Sequence, residues 1–151
     1  MTIKLAKTEK IHFIGIGGIG MSGLALIMKR KGFNVQGSDI SNNKNIERLK
    51  KNKIKVFIGH KKENIKNSSI IVISSAIKIN NPELKAAKRN SLPIYKRGEM
   101  LAHIVSLNKN IVVVGSHGKT TTTSLITSIF QNSKIDPTII NGGVINSLQN
   151  S

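Results

Sequence analysis

The stretch Ile11-His12-Phe13-Ile14-Gly15-Ile16-Gly17-Gly18-Ile19-Gly20-Met21-Ser22-Gly23 decides the fold that this sequence predicts. Its first residues are apolar, as in a buried strand, and the pattern G-x-G-x-x-G follows at Gly15, Gly17 and Gly20. Apolar residues then recur at the spacing of one helix face, at Met21, Leu24, Ala25 and Met28. Strand, glycine turn and helix in this order predict a helix N-terminus that faces a phosphate group.

The next residues add a second strand to this unit. Gly32 is expected to end the helix, and residues 33–38 form the predicted strand. Asp39 follows, 19 residues after Gly20, at the spacing where an acidic side chain meets a ribose in dinucleotide-binding folds. The pattern therefore indicates a nucleotide or diphosphate site. The alternative is that the glycines only allow the strand and the helix to pack closely.

Strands and helices keep alternating along the first 105 residues. Further strands are predicted at residues 55–58, 70–73 and 92–95, and further helices at 45–52, from Asn81 and from Arg97. Five alternations favour the α/β class, with a Rossmann-like, open parallel sheet. Ser74, Ser75 and Ala76 follow a predicted strand at the sheet edge where such folds build their sites.

A second glycine-rich stretch, Gly115-Ser116-His117-Gly118-Lys119-Thr120-Thr121, follows the apolar run 111–114, which predicts a buried strand. Leu125, Ile126, Ile129 and Phe130 then mark a helix, so the context is that of a phosphate-binding loop. Lys119 would neutralise phosphate, and the Thr120 hydroxyl would bind Mg²⁺. Val113 replaces the first glycine of the usual pattern, which leaves a shorter G-x-x-G-K-T. An ordinary turn with a surface lysine is the alternative.

The polar segment 106–110 separates the two glycine-rich regions. It predicts one domain over residues 1–107 and the incomplete beginning of a second α/β unit over 108–151, with a strand near residues 137–140. No other part of the sequence predicts chemistry: His12 is assigned to a strand and His60 to a turn, both without a chemical role. The acidic residues and histidines show no spacing typical of a metal site.

Composition excludes several classes of function. The 151 residues contain no cysteine, so disulfides and thiol chemistry are excluded, and no apolar run reaches membrane-spanning length. The net charge of +17 comes mostly from lysines spread along the chain, with only four phenylalanines and one tyrosine to stack on bases. We therefore expect a cytoplasmic protein that binds neither nucleic acid nor membrane; the sequence does not indicate an oligomeric state.

Together these motifs resemble the Mur ligases, which build the peptidoglycan stem peptide. The similarity lies in the opening run 12–23 and in later segments that include the shortened phosphate loop; these are 37–39, 74–77, 81–83, 97–101, 115–123 and 141–143. It is greatest to the branch that joins L-alanine to UDP-N-acetylmuramate. In that reaction ATP phosphorylates the sugar carboxylate, and the alanine amine then attacks the acyl phosphate. The resemblance covers the first family domain and, over residues 108–151, the beginning of the central ATP-binding domain. The chain is therefore expected to be a sequence fragment or a truncated product that is inactive alone.

The resemblance also implies a role for each motif. The residues expected around the diphosphate are Gly15, Gly17, Gly18, Gly20, Met21 and Ser22. Ser38 and Asp39 would lie near the uridine, and Ser74, Ser75, Ala76 and Arg97 near the sugar. Residues 115–121 would bind the phosphates of ATP, with Lys119 at the γ-phosphate and Thr120 at Mg²⁺. The alternatives are an NAD-dependent oxidoreductase, a non-catalytic nucleotide-binding module, and a related ligase that attaches a recycled peptide to the same sugar.

Overall fold

Five short strands in the first part of the chain form one parallel sheet. They are β1 (Lys10–Ile14), β2 (Asn34–Asp39), β3 (Lys55–Ile58), β4 (Ile70–Ile73) and β5 (Ile94–Lys96), in the spatial order β3-β2-β1-β4-β5. The coordinates come from a computed structural model that describes residues 5–131, 133, 137–141 and 144–147. The predicted α/β class with an open parallel sheet is confirmed.

Four helices follow the strands. They are α1 (Ile19–Arg30), α2 (Lys44–Lys51), α3 (Pro82–Arg89) and α4 (Arg97–Ser106), and a 3₁₀ turn that was not predicted spans Lys62–Ile65. Local chemistry sets their ends: Gly32 takes the left-handed conformation, with φ +87°, just after α1. The Asn81 side chain accepts hydrogen bonds from the N–H groups of Glu83 and Leu84 and so caps α3.

Helices or turns cover both faces of this sheet. On one face, α3 and the 3₁₀ turn pack over β1 and β4, and their buried apolar residues form one cluster: Ile14, Ile65, Ile71, Leu84 and Ala87. On the other, α1 packs against β2 and contacts α2 and α4. β1 lies at the centre, and the chain runs from it to β2 and β3 and then returns to β4 on its other side. The carboxyl ends of β1 and β4 therefore flank a topological switch point, where folds of this kind bind ligands.

The chain divides into two compact units, Met1–Asn108 and Lys109–Ser151. The second contains α5 (Lys119–Gln131) and an antiparallel pair, β6 (Thr138–Asn141) and β7 (Val144–Ser147). The predicted buried strand over residues 111–114 is wrong, because this segment is not a strand and Ile111, Val112 and Val114 are all more than 60% exposed. A parallel strand needs a hydrogen-bonded neighbour, and the described strands of this unit pair with each other. Within the described ranges, no helix is both long and apolar enough to cross a bilayer.

Gly37, in the middle of β2, provides a test of the packing. A Cβ at this position would lie 2.6 Å from both the Phe13 carbonyl oxygen and Ile16 Cδ1. We expect Gly37→Ala to lower the free energy of unfolding by about 1–3 kcal/mol, because neither the backbone nor the core can move aside cheaply. Thermal unfolding followed by circular dichroism measures this. Gly98→Ala is the matched control, since a Cβ there would meet no atom within 4 Å; equal losses of stability in the two variants would contradict the packing argument.

Candidate functional site

The turn from β1 into α1 passes directly against the end of β4. Gly15 has φ +82°, and a Cβ there would lie 3.1 Å from Ser74 Cβ and 3.3 Å from Ile77 Cδ1. Both the conformation and the space therefore require glycine. This contact brings the predicted residues of the first glycine loop and of the segment 74–76 to the two sides of the switch point. Ser74 is half-buried, whereas Ser75 and Ala76 are exposed.

The end of β2 holds the other side of the loop. The Ser38 carbonyl oxygen accepts hydrogen bonds from the N–H groups of Gly15, at 2.9 Å, and Ile16, at 3.0 Å. Asp39 Oδ2 accepts the Gly17 N–H at 2.8 Å, and Asn45 Nδ2 donates to the Gly17 carbonyl oxygen at 2.8 Å. One carboxylate oxygen of Asp39 thus holds the glycine loop in place, so this residue has a structural role in addition to the predicted ribose contact.

Positive charge gathers where α1 begins. Gly18 occupies the N-cap position with no side-chain cap, and the first turn of α1 has no acidic residue. A helix leaves its first N–H groups without intrahelical acceptors, and they carry a partial positive charge. The exposed Arg97 guanidinium lies against Gly20 so closely that a Cβ there would collide with it. The helix N-terminus and this cation together can bind an anion such as a diphosphate.

The side chains of Met21 and Ser22 do not face this site. They are only 2% and 5% exposed, and the Ser22 hydroxyl donates to the Ile19 carbonyl oxygen at 3.0 Å. Any contribution of these two residues to anion binding therefore comes from the backbone.

Sequence reasoning missed a buried polar cluster beneath the site, with Glu83 at its centre. Glu83 is 0% exposed, and its carboxylate accepts hydrogen bonds from Ser38 Oγ and Asn64 Nδ2, both at 2.5 Å. His60 Nδ1 lies 3.0 Å from Glu83 Oε2. Ser38 is fully buried, and its hydroxyl is engaged within this cluster. His60 therefore has a structural role, because its ring is part of this cluster.

His12 completes the cluster from β1. His12 Nδ1 lies 3.2 Å from Gln36 Nε2. The other nitrogen of the His12 ring, Nε2, has no hydrogen-bond partner and lies 3.7 Å from Glu83 Oε2. The sequence did carry one signal: His12, Gln36 and Ser38 share one face of two neighbouring strands. Glu83 lies in segment 81–83, which is similar to the Mur ligases, but the residue pattern assigned no role to its carboxylate.

The environment of Glu83 favours its charged form. Burial on its own raises the pKa of Glu83, but the His12 ring and the hydrogen bonds from Ser38 and Asn64 outweigh burial. Together they hold the pKa below the ordinary glutamate value of 4.5. A carboxylate is therefore present inside the first unit at neutral pH.

The second glycine loop is described within its own unit. Gly118 has φ +76°, α5 begins at Lys119, and Lys119 Nζ donates to the carbonyl oxygens of Gly115, at 2.6 Å, and Ser116, at 3.0 Å. The lysine thus folds over the loop at a helix N-terminus, which fits phosphate binding. Ser116, His117, Thr120 and Thr121 are exposed. In the described residues no group of three or more His, Cys, Asp or Glu side chains is placed to hold a metal ion.

Comparison with known proteins begins with families and relatives. Residues 10–109 match the family model described as "Mur ligase family, catalytic domain". The UDP-N-acetylmuramate–L-alanine ligase of Pelagibacter ubique is 75% identical over 151 residues, which are 100% of this chain and 32% of that protein. The protein of the same name from Rickettsia typhi is 53% identical and covers 97% of this chain and 30% of its own length. The chain spans about a third of the length of these relatives.

Solved structures of Mur ligases are also similar to this chain. The UDP-N-acetylmuramate-alanine ligase of Thermotoga maritima superposes with a TM-score of 0.78 at 33% identity, over 88% of this chain and 31% of that one. The UDP-N-acetylmuramate:L-alanyl-γ-D-glutamyl-meso-diaminopimelate ligase from Neisseria meningitides gives 0.80 at 28% identity, over 92% and 46% of the two chains.

The lowered pKa of Glu83 predicts how stability depends on pH. A depressed carboxyl pKa contributes stability that is present above the unfolded-state pKa and is lost as pH falls through the folded-state pKa. Wild type should therefore lose this contribution below about pH 4.5, whereas Glu83→Gln lacks it at every pH. Urea unfolding between pH 7 and pH 3 measures the effect. The stability gap should shrink as pH falls, while the exposed control Glu63→Gln should follow wild type. A gap that does not change with pH would contradict the assignment.

Proposed function

The chain belongs to the Mur ligase family, and from that premise we propose that it carries the sugar-nucleotide site and the ATP phosphate loop of a UDP-N-acetylmuramate–L-alanine ligase. The names of the relatives support a ligase of peptidoglycan synthesis. Identities of 75% and 53% to proteins named for L-alanine favour that amino acid over the peptide named for the Neisseria protein, at 28%. We place the reaction in the cytoplasm, where ATP is available.

The observation that carries this proposal is the convergence of the loop 15–20, the N-terminus of α1 and Arg97 at the switch point. A diphosphate fits there: the N–H groups of Ile19, Gly20 and Met21 in the first turn of α1 would bind its oxygens, and Arg97 would neutralise charge. Asp39 lies on the β2 side, toward the nucleoside in this pose. Ser74, Ser75 and Ala76 lie on the β4 side, toward the sugar.

The second loop supports the use of ATP. Lys119 and the start of α5 would hold the outer phosphates, and the Thr120 hydroxyl would be one oxygen ligand of Mg²⁺, beside phosphate oxygens and water. The sugar carboxylate attacks the terminal phosphorus of ATP and ADP leaves. The alanine amine then attacks the acyl carbon, loses a proton and expels phosphate as the amide forms. The loop contributes position and charge neutralisation.

One alternative function conflicts with these features, and another agrees with them in part. A nicotinamide-dependent oxidoreductase has no need for a second phosphate loop at Gly115. A nucleotide-binding module without turnover describes what we propose for the chain in isolation. The described residues of α5 are not buried, and Ile111, Val112 and Val114 are exposed, so the described residues around this loop give it little packed support.

Binding tests the first site. We expect calorimetry on this chain to show that UDP-N-acetylmuramate binds more tightly than NAD. Gly20→Ala should weaken binding of the UDP-sugar by about tenfold or more, since its Cβ displaces the Arg97 guanidinium and one charged hydrogen bond is worth about that factor. Gly98→Ala is the control, with no contact to disturb. Tighter binding of NAD would overturn the proposal.

Turnover tests the second site. In a chimera where this chain replaces the matching part of the Pelagibacter ubique ligase, Lys119→Ala should lower turnover by at least about 100-fold, because it removes charge stabilisation of the transferred phosphate. Binding of UDP-N-acetylmuramate should not change. The exposed Lys109→Ala serves as control, and this chain alone should release no alanine-dependent phosphate. Near-normal turnover of the Lys119 variant would refute the role.

A further inference from the structure

The buried cluster around Glu83 is costly for a fold of this size. An ionised carboxylate without exposure loses its hydration, and the cost is recovered only through well-placed donors. Those donors come from three separate parts of the chain: Ser38 on β2, His60 after β3 and Asn64 in the 3₁₀ turn. Directly beside it, the same face of the sheet is closed by apolar packing alone, as around Leu84. Covering the sheet therefore does not require a carboxylate.

Ser38 connects this cluster to the glycine loop. Its hydroxyl donates to Glu83 Oε2, while its carbonyl oxygen accepts the N–H groups of Gly15 and Ile16. The following residue, Asp39, accepts the Gly17 N–H through its side chain and the Gly59 N–H, at 2.7 Å, through its carbonyl oxygen. The last two residues of β2 thus hold three consecutive N–H groups of the loop. Of these two residues, Ser38 is itself held by a hydrogen bond to the buried Glu83 carboxylate.

From this geometry we propose that Glu83 is a positioning residue for the diphosphate site, acting through Ser38 on the loop 15–17. The inference rests on the proposed function for the identity of the ligand, and on the hydrogen bonds alone for the positioning. Because Glu83 is fully buried, the role that we assign to it is positioning and not catalysis. Glu83 holds the end of β2 in place, and the hydrogen bonds to Ser38 and Asp39 hold the loop 15–17. This loop leads directly into the first turn of α1, whose N–H groups lack intrahelical acceptors and can bind the ligand.

Removal of the Glu83 carboxylate should disturb the loop 15–17 more than it disturbs the sheet. The sheet ladders between β1, β2 and β4 do not include the Glu83 side chain. The loop, in contrast, depends on a few hydrogen bonds to Ser38 and Asp39. Small displacements of donors weaken anion binding strongly, because charge-assisted hydrogen bonds require good distance and alignment. A residue that only stabilised the fold would lower the melting temperature and leave the loop unchanged.

The test compares four forms of the full 151-residue chain: wild type, Glu83→Gln, Ser38→Ala and Ala87→Gly. Glu83→Gln keeps the shape and removes the charge, and Ser38→Ala removes the hydroxyl but keeps the carbonyl oxygen. Ala87→Gly is the matched control, since it weakens α3 without touching the cluster. Calorimetry with UDP-N-acetylmuramate gives the affinity. NMR amide exchange without ligand, well below the melting temperature, reports on the N–H groups of residues 15–17.

We expect Glu83→Gln and Ser38→Ala to weaken binding by about tenfold and to accelerate exchange at residues 15–17 selectively. Ala87→Gly should lower the melting temperature and leave both readings at their wild-type values. Unchanged affinity and exchange in the two cluster variants would overturn the positioning role, as would equal acceleration in Ala87→Gly. If Glu83→Gln does not fold, Ser38→Ala decides in the same way.

The two proposals fail separately in this experiment. If wild type does not bind UDP-N-acetylmuramate, the proposed ligand is wrong, and amide exchange still decides the positioning role without any ligand. If wild type binds and the cluster variants match it in both readings, the proposed function stands and the role of Glu83 is wrong.

Discussion

The carbonyl oxygen of Ser38 accepts two N–H groups from the turn that leaves β1, and the first unit depends on this contact. It forces the chain to turn sharply at Gly15, where φ is +82° and Ser74 leaves no space for a side chain. This turn then sets the start and direction of α1. Because β1 is the central strand, the same turn lies between the ends of β2 and β4, so one set of contacts shapes both sides of the candidate site.

Charge is arranged unequally around that turn. On the β2 side, the Asp39 carboxylate binds the Gly17 N–H, and on the other side the Arg97 guanidinium lies against Gly20. This arrangement suits a ligand whose polar, hydrogen-bonding end lies near Asp39 and whose anionic group lies near Arg97. The net charge of +17 adds a long-range attraction for anions that is independent of the exact pose.

Much of the first unit could be predicted, because its strands and helices differ clearly in apolar period and end at glycine, asparagine or proline. The glycine loop and Asp39 could be predicted from spacing alone. The exposure of Ile111, Val112 and Val114 could not be predicted, since apolar character indicates what a strand prefers and not whether a neighbour pairs with it. Glu83 could not either: an acidic residue in the first turn of a helix is ordinary, and its role arises only where β1, β2 and the 3₁₀ turn meet.

The two glycine loops differ in what holds them in shape. In the second, the fixing contacts are local: Lys119 reaches carbonyl oxygens three and four residues away, and the Thr122 N–H donates to Gly118. In the first, Gly17 is bound by Asp39, 22 residues away, and Ser38 by Glu83, 45 residues away. Local contacts need no core, so this loop can take its shape at the start of a helix whose described residues are all unburied. Long-range contacts exist only after the sheet has formed. The first site is therefore preorganised by the fold, whereas the shape of the second loop follows from its own few residues.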